Sequence, residues 1–170
     1  MSRLPALLLS LLLSSAPAQA QAARLMKDYE KPRAAPEFEL PATDGSVRRL
    51  SDFRGRYLLV NFWAVWCSPC RKEMPSMQRV YEQLRGDDFE MVAIHVGPSL
   101  KGAREYAEQL GLTFPILVDV QMALSRWQVQ GLPTTFLLDR DGRIIAEAVG
   151  ERAWDSPELS RQLEVYLSAP

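Results

Sequence analysis

The sequence of 170 residues has few of the side chains from which closed metal sites are built. It contains two cysteines, Cys67 and Cys70, and a single histidine, His95. A structural zinc site takes four cysteine or histidine ligands, so this set falls short of it. Charge excess is also absent: the net charge of −1 offers no basic field for nucleic acid. We therefore expect no metal site and no nucleic-acid partner.

The sequence also lacks a hydrophobic run long enough to span a bilayer. Its apolar stretch at residues 4–15 has about a dozen residues, whereas a spanning helix needs roughly 20. Arg3 precedes this stretch, and Ala18-Gln19-Ala20 follows it with the small-x-small pattern of a signal-peptidase site. Residues 1–20 are predicted to be a signal peptide cleaved after Ala20. The alternative is an uncleaved segment that holds the chain at the membrane. Export would bring the chain into an oxidising space, which for a bacterial signal peptide is the periplasm.

The remaining composition is typical of one soluble domain. Hydrophobic residues make up 47% and charged residues 24% of the chain. About 150 residues are enough to bury a sizeable core without help from metals or disulfide bonds. Residues 21–35, with several charges around Pro32, have no clear periodicity and are predicted to be a flexible leader. The folded domain is expected at residues 36–170.

From residue 38 onward, strand and helix patterns alternate, which predicts an α/β fold with a central mixed sheet and helices on both faces. Turn residues at Asp44-Gly45 and Asp141-Gly142 predict two hairpins. Pro75 lies inside the first helix and is expected to kink it. The expected strands are residues 38–40, 47–50, 57–63, 89–96, 114–118, 134–138 and 144–149, and the expected helices are 67–84, 100–110, 122–127 and 157–167.

Cys67 and Cys70 lie where the apolar strand at 57–63 meets the first helix. Unpaired N–H groups and the positive dipole end of a helix N-terminus stabilise a thiolate and lower its pKa from about 8.5. The position favours a redox-active pair. A structural disulfide remains an alternative, although so short a loop contributes only about 2 kcal/mol, against roughly 3 for fifteen residues. A metal site is the other alternative.

The segments Phe62-Trp63-Ala64-x-Trp66-Cys67-x-Pro69-Cys70, Arg71-Lys72-Glu73-Met74-Pro75 and Gly131-Leu132-Pro133-Thr134-Thr135-Phe136-Leu137-Leu138-Asp139-x-Asp141-Gly142 occur in this order. Together they resemble the thioredoxin superfamily, and more narrowly the exported TlpA/ResA-type thiol-disulfide oxidoreductases. That group includes reductants used in cytochrome c maturation. The resemblance implies a thioredoxin-like three-layer sandwich with an N-terminal β-hairpin and an inserted strand-helix unit around residues 92–111.

The resemblance also implies roles for individual residues. Cys67 would be the nucleophile and Cys70 the resolving thiol of a redox-active disulfide, which needs no cofactor. Pro133 corresponds to the cis-proline that faces the dithiol in this fold; from the residues alone, an ordinary turn is the alternative. The substrate-binding residues implied by the resemblance are Trp66, Pro69, Leu132, Pro133 and Thr134.

Glu73 is the third candidate catalytic residue. It follows Cys70 by three residues, so on a helix its side chain lies on nearly the same face, in reach of the resolving thiol if it is partly buried. The ResA-like group has a glutamate at this place, whereas thioredoxins carry a buried aspartate at the position of Asn61. Because an amide exchanges no protons, Glu73 is the best candidate for a proton shuttle. The alternative is a solvated glutamate near the helix start.

The leading function is a reductant of disulfides in exported proteins, such as apocytochrome c or metallochaperone thiols. A membrane electron carrier would recharge it. The alternatives are a disulfide-forming oxidant or isomerase and a copper-binding chaperone of the same fold. A peroxidase is disfavoured because Ala64 stands where those enzymes place a hydroxyl. His95, Trp127 and Trp154 are expected to be packing residues.

Overall fold

The computed structural model describes residues 25–122 and 124–168. The predicted signal peptide and residues 21–24 of the predicted leader lie outside them. In this described part, no helix is both long and apolar enough to cross a membrane. The elements in chain order are β1 (Lys27–Ala34), β2 (Glu39–Pro41), β3 (Val47–Arg49), a 3-10 turn (Leu50–Phe53), β4 (Tyr57–Trp63), α1 (Ser68–Leu84), β5 (Phe89–Val96), α2 (Leu100–Leu110), β6 (Ile116–Asp119), α3 (Leu124–Trp127), β7 (Thr134–Leu138), β8 (Arg143–Val149) and α4 (Pro157–Leu167).

The main sheet is mixed, with the strand order β1-β8-β7-β4-β5-β6. Strands β4, β5 and β6 run parallel, whereas β7 pairs antiparallel with β4, β8 with β7 and β1 with β8. All seven side chains of the central strand β4 are buried, which explains its continuous apolar sequence, because a strand covered on both faces has no solvent side. The expected α/β class is confirmed.

The sheet separates two hydrophobic cores, since successive side chains of a strand point to opposite faces. On one face, Leu59 and Trp63 of β4 pack with residues of α1, α2 and α4. On the other, Leu58 and Phe62 pack with the 3-10 turn and with Trp127 of α3. The sheet is therefore the middle of three layers, as predicted. The predicted hairpin is also present as β2 and β3.

The prediction of a flexible leader was wrong for residues 27–34, because they form the edge strand β1. Lys27 pairs with Glu147 and Ala34 with Arg143, with an irregularity between Asp28 and Arg33. Most side chains of β1 are exposed. An edge strand can carry charges and a proline because its outer N–H groups need no partner in the sheet. It therefore has none of the alternation by which a half-buried strand is recognised, and the prediction missed it.

Helix α1 runs without interruption through Pro75. Proline has no N–H to donate to the carbonyl four residues earlier, here that of Arg71. The hydroxyl of Tyr106 in α2 donates to this carbonyl oxygen over 3.3 Å. The hydrogen bond lost within α1 is thus replaced from a neighbouring helix, and the kink at Pro75 stays a prediction.

Met26→Ala tests whether the segment leading into β1 is part of the fold. Met26 is 4% exposed, and its N–H and carbonyl both bond the side chain of Gln162 in α4 over 2.9 Å. Truncation should lower the free energy of unfolding by about 2 to 3 kcal/mol, since it removes buried surface and leaves a cavity. Urea unfolding measures this. Val47→Ala, at a site 52% exposed, is the control and should change stability by less than about 0.5 kcal/mol. Unchanged stability of Met26→Ala would contradict the docking of this segment.

Candidate active site

Cys67 is the N-cap residue of α1. Its backbone is extended, and its Sγ accepts a hydrogen bond from the N–H of Cys70 over 3.2 Å. Pro69 lies in the first turn, where a missing N–H costs nothing. The two cysteines form a disulfide with their Cα atoms 5.3 Å apart. After reduction, the same N–H and the helix dipole favour a thiolate at Cys67.

The two cysteines differ in their access to solvent. Cys67 is 5% exposed and Cys70 is completely buried. Trp66, directly before Cys67, is 71% exposed. An indole so open to water beside a sulfur offers apolar surface to an approaching polypeptide.

Two hydrogen bonds fix the turn from β4 into α1. Cys67 N–H donates to the carbonyl of Ala64 over 3.0 Å, and Val65 N–H donates to Nε2 of His95 over 3.3 Å. His95 is buried edge-on against Trp63, and burial lowers its pKa. As expected, His95 is a packed and hydrogen-bonded residue.

The loop before β7 lies at the same edge of the sheet as this turn, because Thr134 pairs with Phe62 near the end of β4. The peptide bond between Leu132 and Pro133 is cis, as the resemblance implied. The carbonyl of Pro133 accepts from Gly150 N–H over 2.8 Å, and the Thr134 hydroxyl donates to Gly131 over 2.8 Å. The predicted substrate-binding residues therefore lie at one edge of the sheet, in the turn into α1 and its first turn and in the segment that leads into β7.

Glu73 is 1% exposed, which excludes the solvated alternative. Three donors bind its carboxylate: Asn61 Nδ2 at 2.9 Å to Oε1, and both the Arg152 N–H at 3.0 Å and Trp154 Nε1 at 3.1 Å to Oε2. Burial disfavours the charged form and raises the pKa of Glu73 to about 7, although the three hydrogen bonds oppose the shift. Near neutral pH this side chain can both take up and release a proton.

The three donors to Glu73, which are Asn61, Arg152 and Trp154, were not predicted as part of the site. Asn61 was considered only as an amide that exchanges no protons, yet its amide donates both to Glu73 and to the Thr135 hydroxyl at 2.9 Å. Trp154 is buried as expected, but it is also a donor to Glu73. It lies 81 residues further along the chain, and no local pattern links the two positions.

A dithiol at a helix N-terminus with a buried carboxyl group one turn further on can perform thiol-disulfide exchange. Among residues 25–122 and 124–168, no cluster of three or more histidine, cysteine, aspartate or glutamate side chains is arranged to hold a metal ion.

The AhpC/TSA family profile matches residues 32–147. The chain belongs to this family of thioredoxin-like proteins. It is 42% identical over 131 residues to the thiol-disulfide oxidoreductase ResA of Geobacillus kaustophilus, covering 76% of this chain and 74% of the relative. It is 34% identical over 134 residues to the Bacillus anthracis protein of that name, covering 78% and 74%. The chain is a ResA-like thiol-disulfide oxidoreductase.

A solved structure agrees with this assignment. A thiol:disulfide interchange protein of the thioredoxin family from Chlorobium tepidum TLS superimposes with a TM-score of 0.71 at 27% identity, covering 82% of this chain and 99% of that chain. The recognition made from the three sequence segments is therefore confirmed.

Glu73→Gln should flatten the dependence of stability on pH. The folded-state pKa of about 7 lies above the ordinary value of 4.5, so the folded protein holds this proton more tightly than the unfolded chain. The wild type should therefore lose stability as pH rises from about 4.5 to 7, by up to about 1.4 kcal/mol per pH unit.

Urea unfolding of the oxidised proteins at about pH 5, 6 and 8 measures the difference. Glu105→Gln, on the exposed side of α2, is the matched control and should follow the wild type. Parallel curves for the wild type and Glu73→Gln across the whole range would contradict the raised pKa.

Proposed function

We propose that this oxidoreductase works as a reductant of disulfides in exported proteins. The observation that carries the proposal is the arrangement along α1, where Cys67 caps the helix and the buried Glu73 lies one turn beyond Cys70. A dithiol that reduces a substrate must lose the proton of its second thiol, and a carboxyl group with a pKa of about 7 suits that transfer.

The proposed cycle begins with the reduced pair. The Cys67 thiolate attacks one sulfur of a substrate disulfide, which forms a mixed disulfide and releases the other substrate sulfur as a thiolate. Glu73 takes the proton from Cys70, whose thiolate then attacks the Cys67 sulfur. The second substrate sulfur leaves as a thiolate, the Cys67–Cys70 disulfide is closed, and two electrons have passed to the substrate. The cycle uses no cofactor.

The loops around the dithiol supply the proposed substrate site. Trp66 presents its exposed indole, and Pro69 lies in the first turn beside the cysteines. The segment Leu132-Pro133-Thr134 shares the sheet edge with them, and the backbone of Leu132, which precedes the strand β7, is the proposed place for an extended substrate segment to pair.

The proposed setting is the periplasm, reached through the predicted signal peptide at residues 1–20. The substrates would be protein thiols of the kind found in apocytochrome c or metallochaperones. Because an exported space is oxidising, the oxidised pair must be reduced again, for which a membrane electron carrier is the proposed donor.

The reduction potential of the Cys67–Cys70 pair tests the direction of electron flow. A reductant should have a potential near that of thioredoxin, about −270 mV. The pair is equilibrated with dithiothreitol or glutathione buffers, and the reduced fraction is read by thiol alkylation and mass spectrometry. A value near −120 mV, as in strong disulfide donors, would overturn the proposal in favour of the oxidant.

Serine variants test the order of the two cysteines. Cys70→Ser should accumulate mixed disulfides through Cys67, because no second thiol can resolve them. Cys67→Ser should accumulate none, since the remaining thiol is buried. Both variants are mixed with an excess of a peptide that contains one cystine, and the adducts are counted by non-reducing mass spectrometry. Equal trapping by both variants would contradict the assigned order.

A further inference from the structure

The segment between β8 and α4, residues 150–155, lies across α1, and we call it the strap. Two of its bonds to α1 are exposed ion pairs, which stabilise little in water. The others are hydrogen bonds to buried side chains. The contacts are Lys72 Nζ to Glu151 Oε1 (2.5 Å), Arg79 Nε to Asp155 Oδ2 (2.6 Å), Arg152 N–H to Glu73 Oε2 (3.0 Å), Trp154 N–H to Ser76 Oγ (3.1 Å) and Trp154 Nε1–H to Glu73 Oε2 (3.1 Å).

The strap is complementary to the ionised form of Glu73. A backbone N–H and an indole N–H can only donate, so both suit a carboxylate oxygen. A protonated carboxyl group would have to turn its own hydrogen away from them. Asn61, the third partner, differs because an amide offers a donor on one side and an acceptor on the other. The donors that cannot adapt to protonation therefore both come from the strap.

Burial alone does not explain the bond from Trp154. Both Trp154 and Trp63 are completely buried in the same core. Nε1 of Trp63 has no hydrogen-bond partner within the described residues, whereas Nε1 of Trp154 bonds the Glu73 carboxylate. The core thus tolerates an indole without a partner, and the placement of Trp154 against Glu73 is a specific feature of the strap.

We propose that Trp154 is a positioning residue for the redox reaction: its indole N–H fixes the Glu73 carboxylate beside the dithiol and favours the ionised form that accepts the proton of Cys70. This inference rests on the proposed role of Glu73. It adds that the redox reaction also depends on the strap, which follows the active-site cysteines by some 80 residues in the chain.

The charged and titratable groups around Glu73 are consistent with this role. Arg152 of the strap lowers the pKa of Glu73 through its charge, in addition to the bond from its N–H. Lys72 on α1 is exposed and pairs with Glu151 instead. From β4 the neutral amide of Asn61 donates to Glu73, and on β7 the neutral Thr135 hydroxyl accepts from the same amide. Cys70 lies three residues before Glu73 on α1 and becomes a thiol when the disulfide is reduced.

Trp154→Phe removes the donor and keeps an aromatic ring. The titration of Glu73 in the full chain is followed by carbon-13 NMR of the glutamate carboxyl groups, with Glu73→Gln used to assign the signal. Loss of a hydrogen bond to the charged form should raise the midpoint by about one pH unit. Trp127→Phe is the matched control, because Trp127 is also buried, at 3% exposed, but packs in the other core, and the Glu73 midpoint of this variant should equal that of the wild type.

Exchange kinetics separate this inference from the proposed function. The rate at which the reduced protein cleaves a cystine peptide is measured across pH for the wild type, Trp154→Phe and Glu73→Gln. The inflection of the Trp154→Phe profile should move up with the NMR midpoint, and Glu73→Gln should be slower and lack the inflection.

An unchanged midpoint in Trp154→Phe would overturn the role of Trp154, while slow exchange by Glu73→Gln would still support the proposed function. A wild-type profile in Glu73→Gln would overturn the role of Glu73 and that of Trp154 with it. If Trp154→Phe does not fold, β-(3-benzothienyl)alanine is introduced at the position of Trp154. This analogue keeps the shape of the indole but has sulfur in place of the N–H, and the same rise in the midpoint is expected.

Discussion

The burial of the Glu73 carboxyl group is the constraint on which the active-site region depends. An ionised carboxylate inside a protein is strongly unfavourable unless hydrogen bonds replace its water. Here the donors come from β4 and from the strap, so a central strand, α1 and the connection to the last helix must all be in place before Glu73 is satisfied. The surroundings of Glu73 therefore form only in the folded protein, although the helical spacing within α1 is enough to place Glu73 on nearly the same face as Cys70.

A second constraint arises at Pro75, two residues further along the same helix. The carbonyl that Pro75 leaves without an intrahelical partner belongs to Arg71, next to Cys70, and the hydroxyl of Tyr106 binds it. The ring of Tyr106 also packs against Trp63, the last residue of β4. Helix α2 thus supports the first turn of α1 and the end of the strand that leads into it, so the position of the dithiol depends on contacts from outside the strand-helix junction.

Local patterns were enough to predict much of this structure, and the failures share one cause. Strand β4 carries a continuous apolar run and helix α2 a periodic pattern, and Gly111 ends α2 in the left-handed conformation that glycine adopts without strain. Strand β1 has no such signal, because its residues are defined by the partner they pair with and not by a buried face. The donors Arg152 and Trp154 follow Glu73 by about 80 residues, and a hydrogen bond between distant positions leaves no trace in the spacing of either.

The two sulfurs receive different kinds of electrostatic support, and this difference matches their proposed tasks. Cys67 accepts a hydrogen bond from the N–H of Cys70 at the helix start, and this N–H and the helix dipole favour its thiolate. Cys70 is completely buried, so its proton cannot pass directly to solvent, and desolvation disfavours its thiolate. A carboxyl group in water, with a pKa near 4.5, would be too weak a base to take that proton. Burial that raises the pKa of Glu73 to about 7 makes it a stronger base for the role proposed for it. The same low-dielectric interior that hinders ionisation of the second thiol therefore strengthens the base that is proposed to serve it.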